Sequence, residues 1–208
     1  MFRKNVEIEF ESNKNYVLQP MNFNWRNIKA AYKLVRDWSI MRYFCAIPCI
    51  EGNRMHSKAL NFLIAIMVIK ELTHEPYNYV IIYKPTDDVA ACIVLRPRKM
   101  QSGLEGQDLS TLSISIATFS EYRRRGLIHE GQKMAIQIAF KNQEVKKIEA
   151  LTLPENKISQ GLIKRYGFDY EGVTSTPNTW FREKDRNDII CWGLSREKAE
   201  MLGLVLLL

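Results

Sequence analysis

Arg123-Arg124-Arg125-Gly126-Leu127-Ile128 is the densest run of positive charge in the chain, and its glycine stands directly ahead of an apolar stretch. These residue types suit an anion. A helix start leaves backbone N–H groups unpaired and carries the positive end of the helix dipole, so a turn that aims those groups outward binds phosphate or pyrophosphate. Gly126 lets the backbone bend and approach closely, and the three arginines add charge. An isolated Arg-Arg-Arg-Gly is more often a plain solvated turn, so its flanks decide.

Those flanks read as a strand and a helix. Leu112-Ser113-Ile114-Ser115-Ile116-Ala117 alternates apolar and small polar residues, as a strand with one face on a core does. Leu127 to Asn142 carries Leu127, Met134 and Ile138 at spacings that predict a largely buried helix. Lys147 to Leu153 follows as a strand, Lys157 to Tyr166 as a short helix ended by Gly167, and Asp188 to Trp192 as a last strand. Upstream, Tyr16 to Met21 reads as a strand, and Trp25 to Trp38 and Ser57 to Leu72 as helices. Tyr79 to Tyr83 and Val89 to Leu95 form a hairpin around the turn Lys84-Pro85-Thr86-Asp87-Asp88. The order is strand, two helices, three strands, helix, strand, helix, strand, an α/β pattern with antiparallel and parallel parts in one sheet.

The 208 residues are 46% hydrophobic, which suits one domain over 1–208 with a sizeable core. The 30 Lys and Arg exceed the 23 Asp and Glu, for a formal charge of +7, which would attract phosphates, nucleic acid or an acidic membrane surface. The basic residues are otherwise scattered, so a cofactor-sized anion fits better than a nucleic-acid footprint. Cys45, Cys49, Cys92 and Cys191 show no CxxC pair and no metal-ligand spacing, so no metal is expected. The N-terminus lacks the apolar core of a signal peptide, which predicts reduced thiols and a cytoplasmic setting. Ala59 to Ile69 and Met201 to Leu208 are far shorter than the ~20 residues that cross a bilayer. Three readings are open for the apolar tail: packing on the core, self-association as a homodimer, or disorder.

Taken with its context, Thr118 to Ile128 resembles motif A of the GNAT (Gcn5-related N-acetyltransferase) family, in which a strand ends and a Tyr-Arg-x-x-Gly-x-Gly/Ala turn opens a pyrophosphate-binding helix. Arg123 takes the Gln/Arg position and Gly126 the first glycine, whereas Ile128 stands where the family usually has Gly or Ala. Glu155-Asn156-Lys157-Ile158-Ser159 and Arg165-Tyr166-Gly167-Phe168-Asp169-Tyr170-Glu171-Gly172 are similar to the Glu-Asn-x-x-Ser and Gly-Phe-x-x-Glu-Gly signature of the branch with ribosomal-protein N-terminal and amino-sugar acetyltransferases. Two ordered matches are more specific than one. The likeness spans roughly Tyr79 to Lys198, with a weaker echo at Tyr16 to Pro20 and Trp38 to Phe44.

The resemblance implies a single mixed, twisted sheet with splayed parallel central strands flanked by helices, and helices between Trp25 and Leu72 in the acceptor wall. It implies acetyl-coenzyme A as co-substrate, a primary amine (a protein N-terminus or a small molecule) as acceptor, and direct attack in a ternary complex. Backbone groups of Ile116, Ala117 and Thr118 would hold the pantetheine and polarise the acetyl carbonyl, an oxyanion-type role. Arg123, Arg124, Arg125, Gly126, Leu127, Ile128 and His129 would surround the pyrophosphate. Ser159 is the candidate for bonding the thiolate or pantetheine, and Asn156 for bonding a pantetheine amide or for capping the helix at Lys157. The tyrosine that many members carry four residues before Gly-Phe is Ile163 here, and Tyr166 reads as structural. Glu121 and Glu171 are the carboxylates nearest the matched segments, and no general base stands out. His56, His74 and His129 read as bystanders, His129 alone being near phosphate. A catalytically silent acyl-coenzyme A sensor or interaction module is the second reading, and an RNA-binding protein the third.

Overall fold

The computed structural model describes residues 7–37, 40, 58–73, 77–99, 107–175 and 188–205. Its strands are β1 (Ile8–Glu9), β2 (Tyr16–Pro20), β3 (Tyr77–Tyr83), β4 (Asp88–Lys99), β5 (Gln107–Thr118), β6 (Lys147–Thr152), β7 (Asp169–Ser175) and β8 (Asp188–Ser195). Its helices are α1 (Trp25–Arg36), α2 (Lys58–Leu72), α3 (Leu127–Lys141), α4 (Lys157–Arg165) and α5 (Arg196–Met201), with a 3-10 turn at Ser120–Tyr122. The strands form one sheet in the order β1-β2-β3-β4-β5-β6-β8-β7. Among the described residues all pairs are antiparallel except β5 with β6, a parallel pair that α3 connects. The expected mixed α/β sheet with a central parallel pair is therefore present.

Local chemistry explains the elements. β3 is Tyr-Asn-Tyr-Val-Ile-Ile-Tyr, aromatic and β-branched, and six of its seven residues are buried. The Asn78 carboxamide within it is spent, donating to the Leu72 carbonyl at 2.8 Å and accepting from the Leu95 amide at 3.1 Å. That ties the end of α2 to the β3–β4 hairpin. Asp87 closes the hairpin turn at φ 54°, a conformation aspartate tolerates better than most residues. In α1, Asn24 caps the Asn27 amide at 2.9 Å, and Ile28, Ala31 and Leu34 face the core.

The two sheet faces are separately covered. A Cβ at Gly131 of α3 would stand 2.6 Å from Ile81 Cδ1 and 3.2 Å from Ile93 Cδ1, so α3 lies close on the face that carries those side chains. Lys33 of α1 lies over the Phe119 ring, 5.0 Å from its centroid. Ile93 pairs with Ile116, and Phe119, three residues on, projects to the other face, so α1 and α3 flank the sheet from opposite sides. α4 joins α3, because the Tyr166 hydroxyl bonds to the His129 carbonyl.

Several expectations shift. β4 and β5 run on to Lys99 and back from Gln107, because backbone pairing continues past the apolar residues that signalled the strands. β7 has no counterpart in the sequence reading, since Tyr170, Val173 and Thr174 are exposed on an edge strand and Gly172 sits at a bulge with φ 122°. β1 and α5 are likewise additional. Of the apolar tail, Leu204 is buried in the core and Val205 packs against it, whereas Met201 and Leu202 are exposed, although a Cβ at Gly167 would come within 2.3 Å of Leu202 Cδ1; residues 206–208 lie outside the described residues. The echo at Trp38 to Phe44 and the residues Cys45, Cys49, His56 and His74 fall outside the described residues, Ile40 excepted. No helix among the described residues is long and apolar enough to cross a membrane.

Candidate active site

β5 and β6 stay paired only from Thr111↔Lys147 to Ile114↔Ala150. Beyond that point Ser115–Thr118 pair with β4, and Leu151 and Thr152 pair with β8, so the two strands part. Alternation fixes which backbone groups face the opening. The Phe119 amide donates to Ala90 on β4 at 3.1 Å, and the Ser110 carbonyl accepts from Lys146 ahead of β6 at 2.8 Å. From Leu112 on, past the irregularity opposite Pro97 and Arg98, odd-numbered residues of β5 therefore address β4 and even-numbered ones address β6. Past Ile114, the backbone N–H and C=O groups of Ile116 and Thr118 point into the gap, whereas those of Ala117 serve the ladder to Cys92.

The gap is the floor of a cleft, partly open to solvent, between the strands and α3 and α4. Its polar lining is Ser113, Ser115, Gln132, Thr152, Asn156 and Ser159, set among Ile114, Ile116, Leu162, Ile163 and other apolar side chains. Among the described residues, none that lines it is ionisable. Glu121 is instead ion-paired with Lys33, and Glu171 with Lys147 at 2.8 Å. Neither carboxylate lines the cleft.

The arginine turn lies where β5 ends and α3 begins. Arg124 has φ 61° and Gly126 φ 75°. A left-handed arginine is strained by about 1 kcal/mol or more. Gly126 is the N-cap of α3 and has no side chain to accept from the first amides, so those of Leu127 and Ile128 have no side-chain cap. The next amide, that of His129, bonds the Gly126 carbonyl at 3.0 Å. All three arginines are exposed; Arg123 Nε donates to the Thr118 carbonyl at 3.3 Å, and Arg125 lies 5.5 Å from the Tyr122 ring centroid. The Ile128 side chain is turned onto the core, so the bulk that departs from the family pattern does not stand in the turn's mouth.

Asn156 both lines the cleft and caps α4, its Oδ1 accepting from the Ser159 amide at 3.2 Å. The loop before it is held by Gln160 Nε2, which donates to the Leu153 and Pro154 carbonyls at 2.9 and 3.0 Å. Ser159, one turn into α4, opens on the same space. Tyr166 is buried away from the cleft; its hydroxyl donates to the His129 carbonyl and stands 2.6 Å from His129 Nδ1. Burial holds the phenol protonated far above its usual range. The pair joins α3 to α4, in keeping with a structural tyrosine, and leaves exposed His129 beside the turn.

Sequence reasoning missed Gln132. It is 1% exposed, it lines the cleft, and neither atom of its carboxamide has a hydrogen-bond partner among the described residues. A glutamine on the face of α3 that otherwise buries Leu127, Met134, Ala135, Ile136, Ala139 and Phe140 was the available signal.

Comparison with known proteins agrees with this geometry. Residues 18–169 match the family model described as acetyltransferase (GNAT) domain. The fold is similar to that of a GNAT-family acetyltransferase from Bacillus anthracis, with a TM-score of 0.67 and 17% identity over 92% of this chain and 99% of that one. It is similar also to ribosomal-protein-S5-alanine acetyltransferase from Vibrio fischeri, with a TM-score of 0.65 and 17% identity over 92% and 97%. Spermidine N-acetyltransferase from Vibrio cholerae, solved with CoA and spermine, gives a TM-score of 0.65 and 15% identity over 89% and 98%. No curated protein matches the sequence significantly. With a family match over well more than half its length, on a sheet that parts between β5 and β6, the chain belongs to the GNAT acetyltransferase family.

Proposed function

We propose that the protein transfers an acetyl group from acetyl-coenzyme A to a primary amine, by direct attack while both are bound. The observation that carries this is the strand gap, with the Ile116 and Thr118 backbone groups facing it, set in line with an N-terminal turn of α3 that lacks a side-chain cap. An extended, amide-bearing arm joined to a pyrophosphate fits that arrangement. The co-substrate supplies an activated acyl group as a thioester, which an unprotonated amine accepts with release of thiol.

The chain's own groups would act as follows. The amides of Leu127 and Ile128, with Arg123, Arg124, Arg125, Gly126 and His129 around them, hold the pyrophosphate. The Ile116 and Thr118 backbone groups hold the arm as an added strand, and an N–H there polarises the acetyl carbonyl. This narrows the three-residue expectation, since Ala117 is committed to β4. Asn156 keeps the first turn of α4 in place, and Ser159 is the hydroxyl that bonds the thiolate. Ile114, Ile116, Leu162 and Ile163 keep water from the reacting atoms.

Among the described residues no ionisable group lines the cleft, so we assign removal of the attacking amine's proton to water before or during attack. The acceptor class is a protein N-terminal amine or a small polyamine-like amine, as suggested by the alanine and spermidine acetyltransferases of like fold. Titration calorimetry with coenzyme A, followed by release of free thiol from acetyl-coenzyme A in the presence of peptide and polyamine panels, tests the reading. Absence of binding at millimolar concentration overturns it. The lack of an ionisable side chain among the described residues of the cleft, with Ile163 in place of a tyrosine, favours a second reading, a silent acyl-coenzyme A binder. Tight binding with no thiol release from any acceptor selects that one.

A further inference from the structure

Resting on the acetyl-coenzyme A reading, we infer that Gln132 is a ligand-binding residue whose carboxamide exchanges hydrogen bonds with an amide of the donor's pantetheine arm. Its position can be read from the packing of α3. Gly131, its neighbour, lies against Ile93, and Ile93 is the cross-strand partner of Ile116. Gln132 is therefore level with Ile116, two residues past the last β5–β6 pair at Ile114↔Ala150, where the gap begins. It lines that cleft and is 1% exposed.

Both the Nε2 donor and the Oε1 acceptor are buried without partners among the described residues. A buried carboxamide left unsatisfied is costly, and the cost is recovered only by a group that both donates and accepts. The other buried carboxamides among the described residues are each at least partly satisfied: Gln160 donates to two loop carbonyls, Asn78 is satisfied at both ends, and Asn27 donates to the Asn22 carbonyl at 2.7 Å although its Oδ1 has no partner there, so Gln132 alone of these lacks a partner at both ends. A secondary amide chain offers an N–H and a C=O in close succession. The gap-facing groups of Ile116 would engage one edge of such a chain while Gln132 meets it from α3. An acyl group alone offers an acceptor and no donor, and a phosphate offers no amide, so the arm is the part of the donor that matches.

The test compares coenzyme A with adenosine 3',5'-bisphosphate, which keeps nucleotide phosphates and lacks the arm, on wild type and Gln132→Leu. The inference expects Gln132→Leu to weaken coenzyme A about tenfold while leaving the bisphosphate unchanged. It also expects the free variant to unfold at the same or a higher temperature, since an unsatisfied buried amide is removed. Equal affinity of both proteins for coenzyme A overturns the inference and leaves the cofactor reading standing. Failure of wild type itself to bind coenzyme A overturns both. Should the variant not fold, glutamine-selective 15N labelling of wild type decides. The Gln132 side-chain NH2 signal moves on adding coenzyme A and stays on adding the bisphosphate; no movement with either sinks the idea.

Discussion

Replacing Ile116 by proline should separate ligand binding from folding, and Ala117→Pro is its control. By the alternation along β5, the Ile116 N–H faces the gap and takes no part in a ladder, whereas the Ala117 N–H is committed to Cys92. Proline inside a sheet removes a ladder bond and crowds the partner strand, at a cost of about 3 kcal/mol or more. Ala117→Pro meets that cost in full, next to a buried Cys92. Ile116→Pro keeps every ladder bond on the β4 side and gives up part of one half-buried side chain, about 1 kcal/mol. Urea denaturation should thus show Ala117→Pro less stable than Ile116→Pro by about 2 kcal/mol. Calorimetry on folded Ile116→Pro should show coenzyme A weakened at least tenfold, about 1.4 kcal/mol, for a lost hydrogen bond and a ring carbon in the arm's place. Equal destabilisation by the two prolines would refute the assigned alternation. Unchanged coenzyme A affinity in Ile116→Pro would refute the use of its N–H.

Other expectations follow from single contacts. Asn156→Ala removes the cap on the Ser159 amide and should cost about 1 kcal/mol in a denaturant titration, whereas Asn156→Asp should keep most of it. Burial pushes the Cys92 thiol up from its ordinary 9.0 to about 12. A group that is neutral when protonated and whose folded pKa is raised favours the folded state below its unfolded pKa and loses that contribution as pH rises. Stability should therefore fall between about pH 9 and pH 12, with buried Tyr79 and Tyr166 acting in the same direction. Over the same range a thiol reagent should react with Cys92 only as the protein unfolds. For turnover, the log of the rate should rise with pH and level at the acceptor amine's own pKa, because none of the described residues that line the cleft is ionisable. A bell with an inflection that stays fixed across acceptors would contradict this.

The strand-turn-helix that holds the candidate site was legible because two periods meet there. Ser113, Ser115 and Ala117 alternate with apolar residues, and the pattern then changes to helical spacing after Gly126. The same signal recovered β3, whose apolar run is buried almost throughout. What escaped has physical causes. β7 is an edge strand with a bulge and exposed side chains, so it carries no alternation to detect. The outer parts of β4 and β5 are held by backbone bonds that no side chain announces.

Site chemistry was less legible than the fold. Glu121 and Glu171 are adjacent to the motifs in sequence, yet their partners Lys33 and Lys147 lie 88 and 24 residues away. Sequence spacing cannot report such pairing. Asn156 had two readings, and the structure meets one outright, as a cap, while keeping it on the cleft wall. Gln132 needed the third dimension, because only the packing of α3 on the sheet brings it to the cleft wall.

A crystal structure with coenzyme A bears most directly on the central claim. The account predicts the pyrophosphate at the Leu127 and Ile128 amides and the arm between β5 and β6, hydrogen-bonded to the Ile116 backbone and running beneath Gln132. Coenzyme A bound elsewhere, or an arm outside that gap with Ile116 untouched, would contradict it.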